Sequence, residues 1–203
     1  MSKRYEVSGR TVFVTGAARG IGAEAARRLH RKGANVALVG LEAELLEELA
    51  AELGDRAAAF EADVTDSAAV DRAVDGTVAR FGGIDVAIAN AGLHYIGALA
   101  TAPIDQLERE IEVNLLGVLR TDRAVIGQIL DRKGYLLNVA SLAAGMHAPL
   151  MSSYAASKAG VEGLTNSLRQ ETAPSGHVSG APTSALSTPT WCAGPSPTPR
   201  PRQ

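Results

Sequence analysis

Short apolar runs alternate with helical patterns along residues 11–172, and this alternation limits the fold more than any other feature. The apolar runs cover residues 11–16, 35–40, 57–64, 84–92 and 134–141. Apolar residues at helical spacing mark residues 21–33, 42–54, 66–82, 103–128 and 151–172. Strands that alternate with helices of this length predict a parallel sheet with right-handed crossovers. We therefore expect a single-domain, doubly wound α/β fold over residues 1–172, with Asp66 as the N-cap of the third helix.

Composition narrows the function classes. The chain has 203 residues, is 46% hydrophobic and carries a formal net charge of −2, which gives no electrostatic reason to expect nucleic acid or an anionic membrane as a partner. Its N-terminus lacks the apolar core of a signal peptide, and no apolar run is long enough to span a membrane. We expect a cytoplasmic protein with a small-molecule substrate.

Cysteine and histidine usage argues against a metal site. Cys192 is the single cysteine, which excludes an internal disulfide and an all-cysteine metal cage. No group of potential ligands has metal-binding spacing. We therefore predict no metal.

The stretch "TGAARGIG", residues 15–22, joins the first predicted strand to the first helix. Its glycines permit a tight turn and let a ligand approach the backbone. The free N–H groups and dipole at a helix N-terminus favour a pyrophosphate. The alternative is a glycine-rich turn without a ligand, but the position between strand and helix favours a Rossmann-like dinucleotide site.

Tyr154 and Lys158 are four residues apart in a helical pattern, so their side chains share one helix face. A tyrosine has an unperturbed pKa near ~10, and a neighbouring ammonium group lowers it. Ser141, at the end of the fifth predicted strand, could hydrogen-bond a substrate oxygen. The alternative is that Tyr154 only packs while Lys158 lies on a solvated face.

Together these motifs resemble those of the short-chain dehydrogenase/reductase family. The matching segments are "TGAARGIG", "DV" at 63–64, "NAG" at 90–92, Asn114, Ser141 and "YAASK" at 154–158, and the resemblance covers residues 8–172. It implies an oxidoreductase that transfers a hydride between a nicotinamide cofactor and a secondary alcohol or ketone. It implies cofactor-binding roles for Gly16, Arg19, Gly20, Ile21, Gly22, Asp63, Val64, Asn90, Ala91, Gly92, Tyr154 and Lys158.

The resemblance also implies a division of catalytic labour. Tyr154 would be the general acid and base, Lys158 would lower its pKa and hold the nicotinamide ribose, and Ser141 would orient the substrate oxygen. Asn114 would position a water that leads to Lys158. Homo-oligomerisation through the long helices is a further implication.

The choice of cofactor depends on the residues after the second strand. An NAD site usually places an acidic residue there, but this chain has Gly40 and Leu41, with Glu42 one residue further on. Arg19 could bind a 2′-phosphate. The sequence therefore favours NADP(H) slightly over NAD(H).

Residues 173–203 break the pattern. Seven of the nine prolines lie there and no acidic residue does, which predicts a disordered low-complexity tail. We expect the usual C-terminal strands to be lacking, through truncation or a shifted reading frame, with weak or absent turnover. A nucleotide-binding module without catalysis, or a truncation product, therefore stays an alternative to an active enzyme.

Overall fold

The structure, a computed structural model, describes residues 5–146 and 148–172 together with the backbone of 178–180. One sheet of parallel strands has the order β3-β2-β1-β4-β5-β6. The strands are β1 (Thr11–Thr15), β2 (Asn35–Gly40), β3 (Ala57–Glu61), β4 (Val86–Ala89), β5 (Tyr135–Asn138) and β6 (Val178–Gly180). The strand order reverses between β1 and β4, which makes this the switch point of a doubly wound fold. The predicted fold class is confirmed.

Helices cover both faces of the sheet. They are α1 (Gly20–Arg31), α2 (Ala43–Leu53), α3 (Ser67–Phe81), α4 (Ile104–Ile111), α5 (Gly117–Asp131) and α6 (Ser152–Thr172). A π-helical turn, Glu112–Leu116, joins α4 to α5, and a 3-10 turn, Leu142–Ala144, precedes α6. The helix predicted over 103–128 is therefore interrupted by a π turn that the sequence did not predict.

The core forms on either side of β1, whose five residues are all buried. Val12 and Val14 pack in a cluster with apolar residues of α1 and α2, whereas Phe13 faces α3 and α5. Alternate strand residues point to opposite faces of the sheet, so β1 contributes side chains to the core on both faces. The predicted cap of α3 is confirmed, since the Asp66 carboxylate accepts a hydrogen bond from the backbone N–H of Ala68 at 2.9 Å.

The sequence predicts that the usual C-terminal strands are lacking. This prediction is wrong for one strand, because β6 follows α6 and belongs to the sheet. The backbone of Val178–Gly180 pairs in parallel with β5, with Val178 opposite Tyr135 and Gly180 opposite Leu137. A three-residue Val-Ser-Gly segment is too short to form an apolar run that sequence analysis can detect. β6 lies within the predicted tail, and the rest of residues 173–203 lies outside the described residues.

Within the described part of the chain, no helix has both the length and the apolar character needed to cross a membrane. The same residues contain no group of three His, Cys, Asp or Glu side chains that could hold a metal ion.

Candidate active site

The glycine loop follows β1 and leads into α1. Gly16 has a positive φ of +65°, and a Cβ on it would lie 2.8 Å from the Ala91 Cα. A Cβ on Gly22 would lie 2.1 Å from the backbone oxygen of Gly16. Both positions therefore exclude a side chain for steric reasons, and the loop is held close to the segment after β4.

Asn90 and Thr15 join the loop to that segment. The Asn90 side-chain amide donates to the backbone oxygens of Thr15 at 3.0 Å and Gly16 at 3.2 Å. The Thr15 hydroxyl accepts from the backbone N–H groups of Asn90 at 3.0 Å and Ala91 at 3.1 Å. Asn90 is predicted from the resemblance to bind a cofactor, and in the structure its side-chain amide braces the loop.

A cavity of about 410 Å³ opens at the carboxyl ends of the central strands. Its walls include most of the residues predicted to bind the cofactor: Gly16, Arg19, Gly20, Ile21, Asp63, Val64, Asn90, Ala91 and Gly92. Gly22 is buried in the first turn of α1 and does not line it. Tyr154 and Lys158, also predicted to bind the cofactor, are not among the lining residues.

The cavity has further lining residues outside that set. Ala18 lies in the predicted glycine loop, and Gly40, Leu41 and Glu42 are the residues considered for the choice of cofactor. The lining residues that were not predicted are Ala62, Leu93, Arg109 and Val113. Ala62 follows directly on β3 and Leu93 lies in the loop after β4, where parallel sheets bind ligands, so position alone could have identified these two. Arg109 and Val113 come from the long helical stretch, and no local signal marks them.

Arg19 and Glu42 form an ion pair at the cavity. The Arg19 Nη2 and Glu42 Oε1 atoms are 2.5 Å apart, and the side chains are 78% and 37% exposed. Exposed pairs contribute little to stability because water screens them and side-chain entropy opposes them. Either partner can therefore be released toward a ligand.

Asp63 combines a turn role with a place in the cavity wall. Its Oδ1 accepts from the backbone N–H and the hydroxyl of Thr65, both at 2.8 Å. Arg109 donates to its Oδ2 at 3.0 Å. Burial alone would raise the pKa of this carboxyl, but the bonds from Thr65 and Arg109 outweigh burial and hold the pKa below its ordinary value. The carboxylate is therefore charged at neutral pH.

The π turn carries Asn114, which is fully buried. Its Oδ1 accepts from the Leu93 N–H and its Nδ2 donates to the Leu93 oxygen, both at 2.8 Å. The same Nδ2 lies 3.3 Å from the Ser157 hydroxyl oxygen, next to Lys158. π turns recur at functional sites, and this one brings Asn114 between the loop after β4 and α6.

Lys158 is buried beside Tyr154 on α6. It is only 5% exposed, so the alternative that it lies on a solvated face is wrong. Its Nζ donates to the Val139 backbone oxygen at 2.7 Å and lies 5.9 Å from the centroid of the Tyr154 ring. Burial lowers the pKa of Lys158 to about 8, against the opposing influence of the Glu110 charge.

Ser141 lies three residues beyond the end of β5, in the turn before α6. It is the N-cap of the 3-10 turn, and its hydroxyl oxygen accepts from the Ala143 N–H at 3.2 Å. This bond uses an oxygen lone pair and leaves the hydroxyl hydrogen able to donate to a substrate oxygen.

Comparison with known proteins assigns the family. A family model described as short chain dehydrogenase matches residues 10–190. The match extends past residue 172, where the resemblance seen in the sequence ends, and it includes β6.

Relatives and a solved structure agree with this match. The chain is 38% identical over 191 residues to 3beta-hydroxysteroid dehydrogenase 1 of Eggerthella lenta, and the aligned region covers 91% of this chain and 73% of that protein. It is 37% identical over 182 residues to 2-dehydro-3-deoxy-L-rhamnonate dehydrogenase (NAD(+)) of a Sphingomonas species, covering 88% and 72%. The 3-ketoacyl-(acyl-carrier-protein) reductase from Brucella melitensis, solved with NADH, superposes with a TM-score of 0.83 at 32% identity, covering 86% of this chain and 75% of that one. The chain therefore belongs to the short-chain dehydrogenase family of NAD(P)-dependent oxidoreductases.

Proposed function

We propose that this chain transfers a hydride between a nicotinamide dinucleotide and a secondary alcohol or ketone, with Tyr154 as the general acid and base. The observation that carries the proposal is the buried Lys158 ammonium beside the Tyr154 ring. Lysine side chains are seldom buried, because desolvation disfavours the charge, and a buried lysine therefore indicates a functional role.

The residues around the cavity fit a dinucleotide. Gly16 and Gly22 lie where a side chain would clash with neighbouring backbone, and a loop without side chains at these positions lets a ligand approach its backbone closely. The N-terminus of α1, with its free N–H groups and the positive end of its dipole, would hold an anionic pyrophosphate. Arg19, Gly20 and Ile21 line this part of the cavity. When bound, the nicotinamide supplies the hydride chemistry.

The protein's own residues manage the proton and the substrate oxygen. In reduction the Tyr154 phenol donates its proton to the substrate oxygen, and in oxidation the phenolate takes the proton back. The buried Lys158 side chain lies beside this phenol, with its Nζ 5.9 Å from the centroid of the Tyr154 ring. The Ser141 hydroxyl donates a hydrogen bond that holds the substrate oxygen near the phenol. Asn114 connects the loop after β4 to the helix that carries both groups.

Removal of the phenolic hydroxyl tests this assignment. We expect Tyr154→Phe to lose at least roughly a hundredfold in kcat, which is the contribution of a general acid or base, while the cofactor dissociation constant stays within about twofold of wild type. Turnover with a panel of ketones and secondary alcohols, and fluorescence titration with cofactor, measure the two quantities. Tyr5→Phe is the matched control, since Tyr5 contacts Asp85 at the opposite end of the sheet. A module that binds nucleotide without catalysis would show saturable binding and no turnover in any variant.

We further propose that NADP(H) is slightly preferred and that Arg19 binds the 2′-phosphate. The side chain of Arg19 is exposed at the cavity, and its present partner, Glu42, is an exposed carboxylate. NAD(H) is the second candidate, because a related dehydrogenase and the similar crystal structure carry NAD(+) and NADH in their names.

Two variants separate these cofactors. We expect Arg19→Ala to weaken NADPH binding roughly tenfold or more while NADH binding changes by less than about threefold, since charge-assisted phosphate contacts exceed neutral ones. Glu42→Gln should tighten NADPH binding, because it frees Arg19. Dissociation constants from fluorescence titration measure both effects. Equal losses for NADPH and NADH in Arg19→Ala would contradict the preference.

A further inference from the structure

Glu110 is a fully buried carboxylate that has no part in the reaction described above. It lies in α4, one turn before Asn114, and is 0% exposed. Its Oε1 accepts from the backbone N–H of Tyr95 at 2.8 Å, and its Oε2 accepts from the Ser153 hydroxyl. Buried carboxylates are destabilising unless they are hydrogen-bonded or paired, and here each oxygen has a donor.

The two donors belong to different parts of the active site. Tyr95 lies in the loop that follows β4, two residues beyond Leu93, which lines the cavity. Ser153 lies in the first turn of α6, immediately before Tyr154. Glu110 therefore bridges the loop at the cavity and the helix that carries the proposed acid and base.

The loop is fixed on both sides of His94. Asn114 holds the backbone of Leu93 through two hydrogen bonds, and Glu110 holds the backbone of Tyr95. Between these anchors the His94 ring packs against the Tyr154 ring, with centroids 4.3 Å apart and an interplanar angle of 36°. Tilted aromatic pairs at this separation are attractive, so the anchored loop supports one face of Tyr154.

The charge of Glu110 also reaches Lys158. Burial depresses the pKa of Lys158, and the Glu110 carboxylate acts in the opposite direction, raising it. Lys158 and Glu110 are both buried, and the negative charge of Glu110 helps to keep the Lys158 ammonium protonated.

We propose that Glu110 is a positioning residue of the active site, which clamps the loop around His94 to the first turn of α6 and so fixes the orientation of Tyr154. This inference rests on the proposed function, because it assigns Tyr154 the proton transfer. Glu110 does not touch the reacting atoms and acts through Tyr95, Ser153 and the His94 ring.

Steady-state kinetics of a matched variant set test the clamp. We expect Glu110→Ala to lower kcat by roughly tenfold to a hundredfold, the scale of a small misplacement of a reacting group, with the cofactor dissociation constant within about twofold of wild type. Glu110→Gln can accept from Tyr95 and donate to Ser153, so it should recover most of the loss. Glu110→Gln should nevertheless shift the alkaline limb of the kcat–pH profile to lower pH. The reason is that Lys158 loses a neighbouring negative charge, which raises its pKa in the wild type. Glu108→Ala, exposed on the same helix, is the control.

Ser153→Ala tests the same contact from its other end with a smaller change to the core. The Glu110→Ala, Ser153→Ala double variant should lose no more in kcat than Glu110→Ala alone, since both changes break one bridge. If Glu110→Ala fails to fold, the Ser153→Ala variant alone decides the kinetic test. Additive losses would overturn the clamp.

Amide exchange at Tyr95 provides a readout that does not depend on turnover. Measured by NMR, this N–H should exchange roughly tenfold or more faster in Glu110→Ala than in wild type, and Glu110→Gln should restore the slow rate. The Leu93 N–H, held by Asn114, should change less. A wild-type chain without turnover would contradict the proposed function, and Tyr95 exchange would still decide the clamp. Exchange and kcat equal to those of Glu108→Ala would overturn it.

Discussion

At the scale of single residues, Lys158 combines burial, positive charge and a place beside the proposed acid and base. Lys158 is 5% exposed, and its ammonium donates to the Val139 oxygen. The fold solvates this charge less well than water does, and burial lowers its pKa from 10.5 to about 8. Lys158 in its charged form therefore destabilises the folded state, which is the expected signature of a group kept for activity.

We expect Lys158→Met to raise the free energy of unfolding at pH 7 by ~1–3 kcal/mol and to abolish turnover. The unfolded chain binds the Lys158 proton more tightly than the folded chain, so wild-type stability rises between about pH 8 and pH 10.5. The advantage of the variant should therefore be largest at pH 7 and shrink through this window. Urea unfolding at pH 7 and pH 10 measures it. A variant less stable than wild type at pH 7 would show that packing outweighs desolvation.

At the scale of elements, a buried polar contact joins α5, β5 and α6. The side-chain amide of Asn138 donates to Asp122 Oδ2 at 2.8 Å and to the Thr165 hydroxyl at 3.0 Å. Among the described residues, Asp122 Oδ1 and Asn138 Oδ1 are buried acceptors without a donor. Burial raises the pKa of Asp122 to about 7, and a proton on this carboxyl turns one of the two oxygens into a donor.

This contact should make the attachment of α5 and α6 to the sheet pH-dependent. The folded pKa of Asp122 lies above its ordinary value of 3.8, so its contribution to stability is complete below about pH 4 and is lost as pH rises through about 7. Asp122→Asn imitates the protonated acid. We expect the stability of the variant relative to wild type to increase by ~2–3 kcal/mol between pH 5 and pH 8. Urea unfolding at both pH values measures the difference, with exposed Asp131→Asn on α5 as the control. A constant difference would contradict a raised pKa.

Elements also show where sequence analysis succeeds and fails. The apolar run of β1 and the glycines after it predict a strand, a loop and a helix, because burial and positive φ leave few other choices at those residues. The π turn around Asn114 escapes detection, since inserting one residue into a helical turn barely alters the apolar spacing. Asp63 and Ser141 were placed at strand ends but lie in turns beyond them. Glu110 has no sequence signal, because its partners, Tyr95 and Ser153, are distant in the chain.

At the scale of the whole molecule, the cavity lies where the loops after β1, β2, β3 and β4 meet. A ligand bound there contacts segments that are far apart in sequence and close in the fold. Binding to the folded state alone raises the apparent stability in proportion to the logarithm of ligand concentration. Cofactor should therefore stabilise the molecule as one cooperative unit.

We expect a single thermal transition whose Tm rises by roughly 5–10 °C at a cofactor concentration about 100 times the dissociation constant. Differential scanning calorimetry with NADPH and with NADH measures the shift. Gly22→Ala should lose the shift, because its Cβ would lie 2.1 Å from the Gly16 oxygen, whereas Gly127→Ala, with no atom within 4 Å of its Cβ, should keep it. A non-cooperative melt that cofactor does not move would favour the truncation product.

The exposed ion pair between Arg19 and Glu42 has a consequence for how this protein can evolve. Gly16 and Gly22 are constrained by contacts closer than a side chain allows, and Asn90 is constrained by the hydrogen bonds of its amide to the loop. Few substitutions at these three positions leave a working loop. Arg19, Leu41 and Glu42 are partly or largely exposed to water at the same cavity, and changes there cost the fold little. On the proposal that Arg19 meets the 2′-phosphate, a descendant could exchange one dinucleotide for the other by drift at these few surface positions, without first acquiring compensatory mutations in the core.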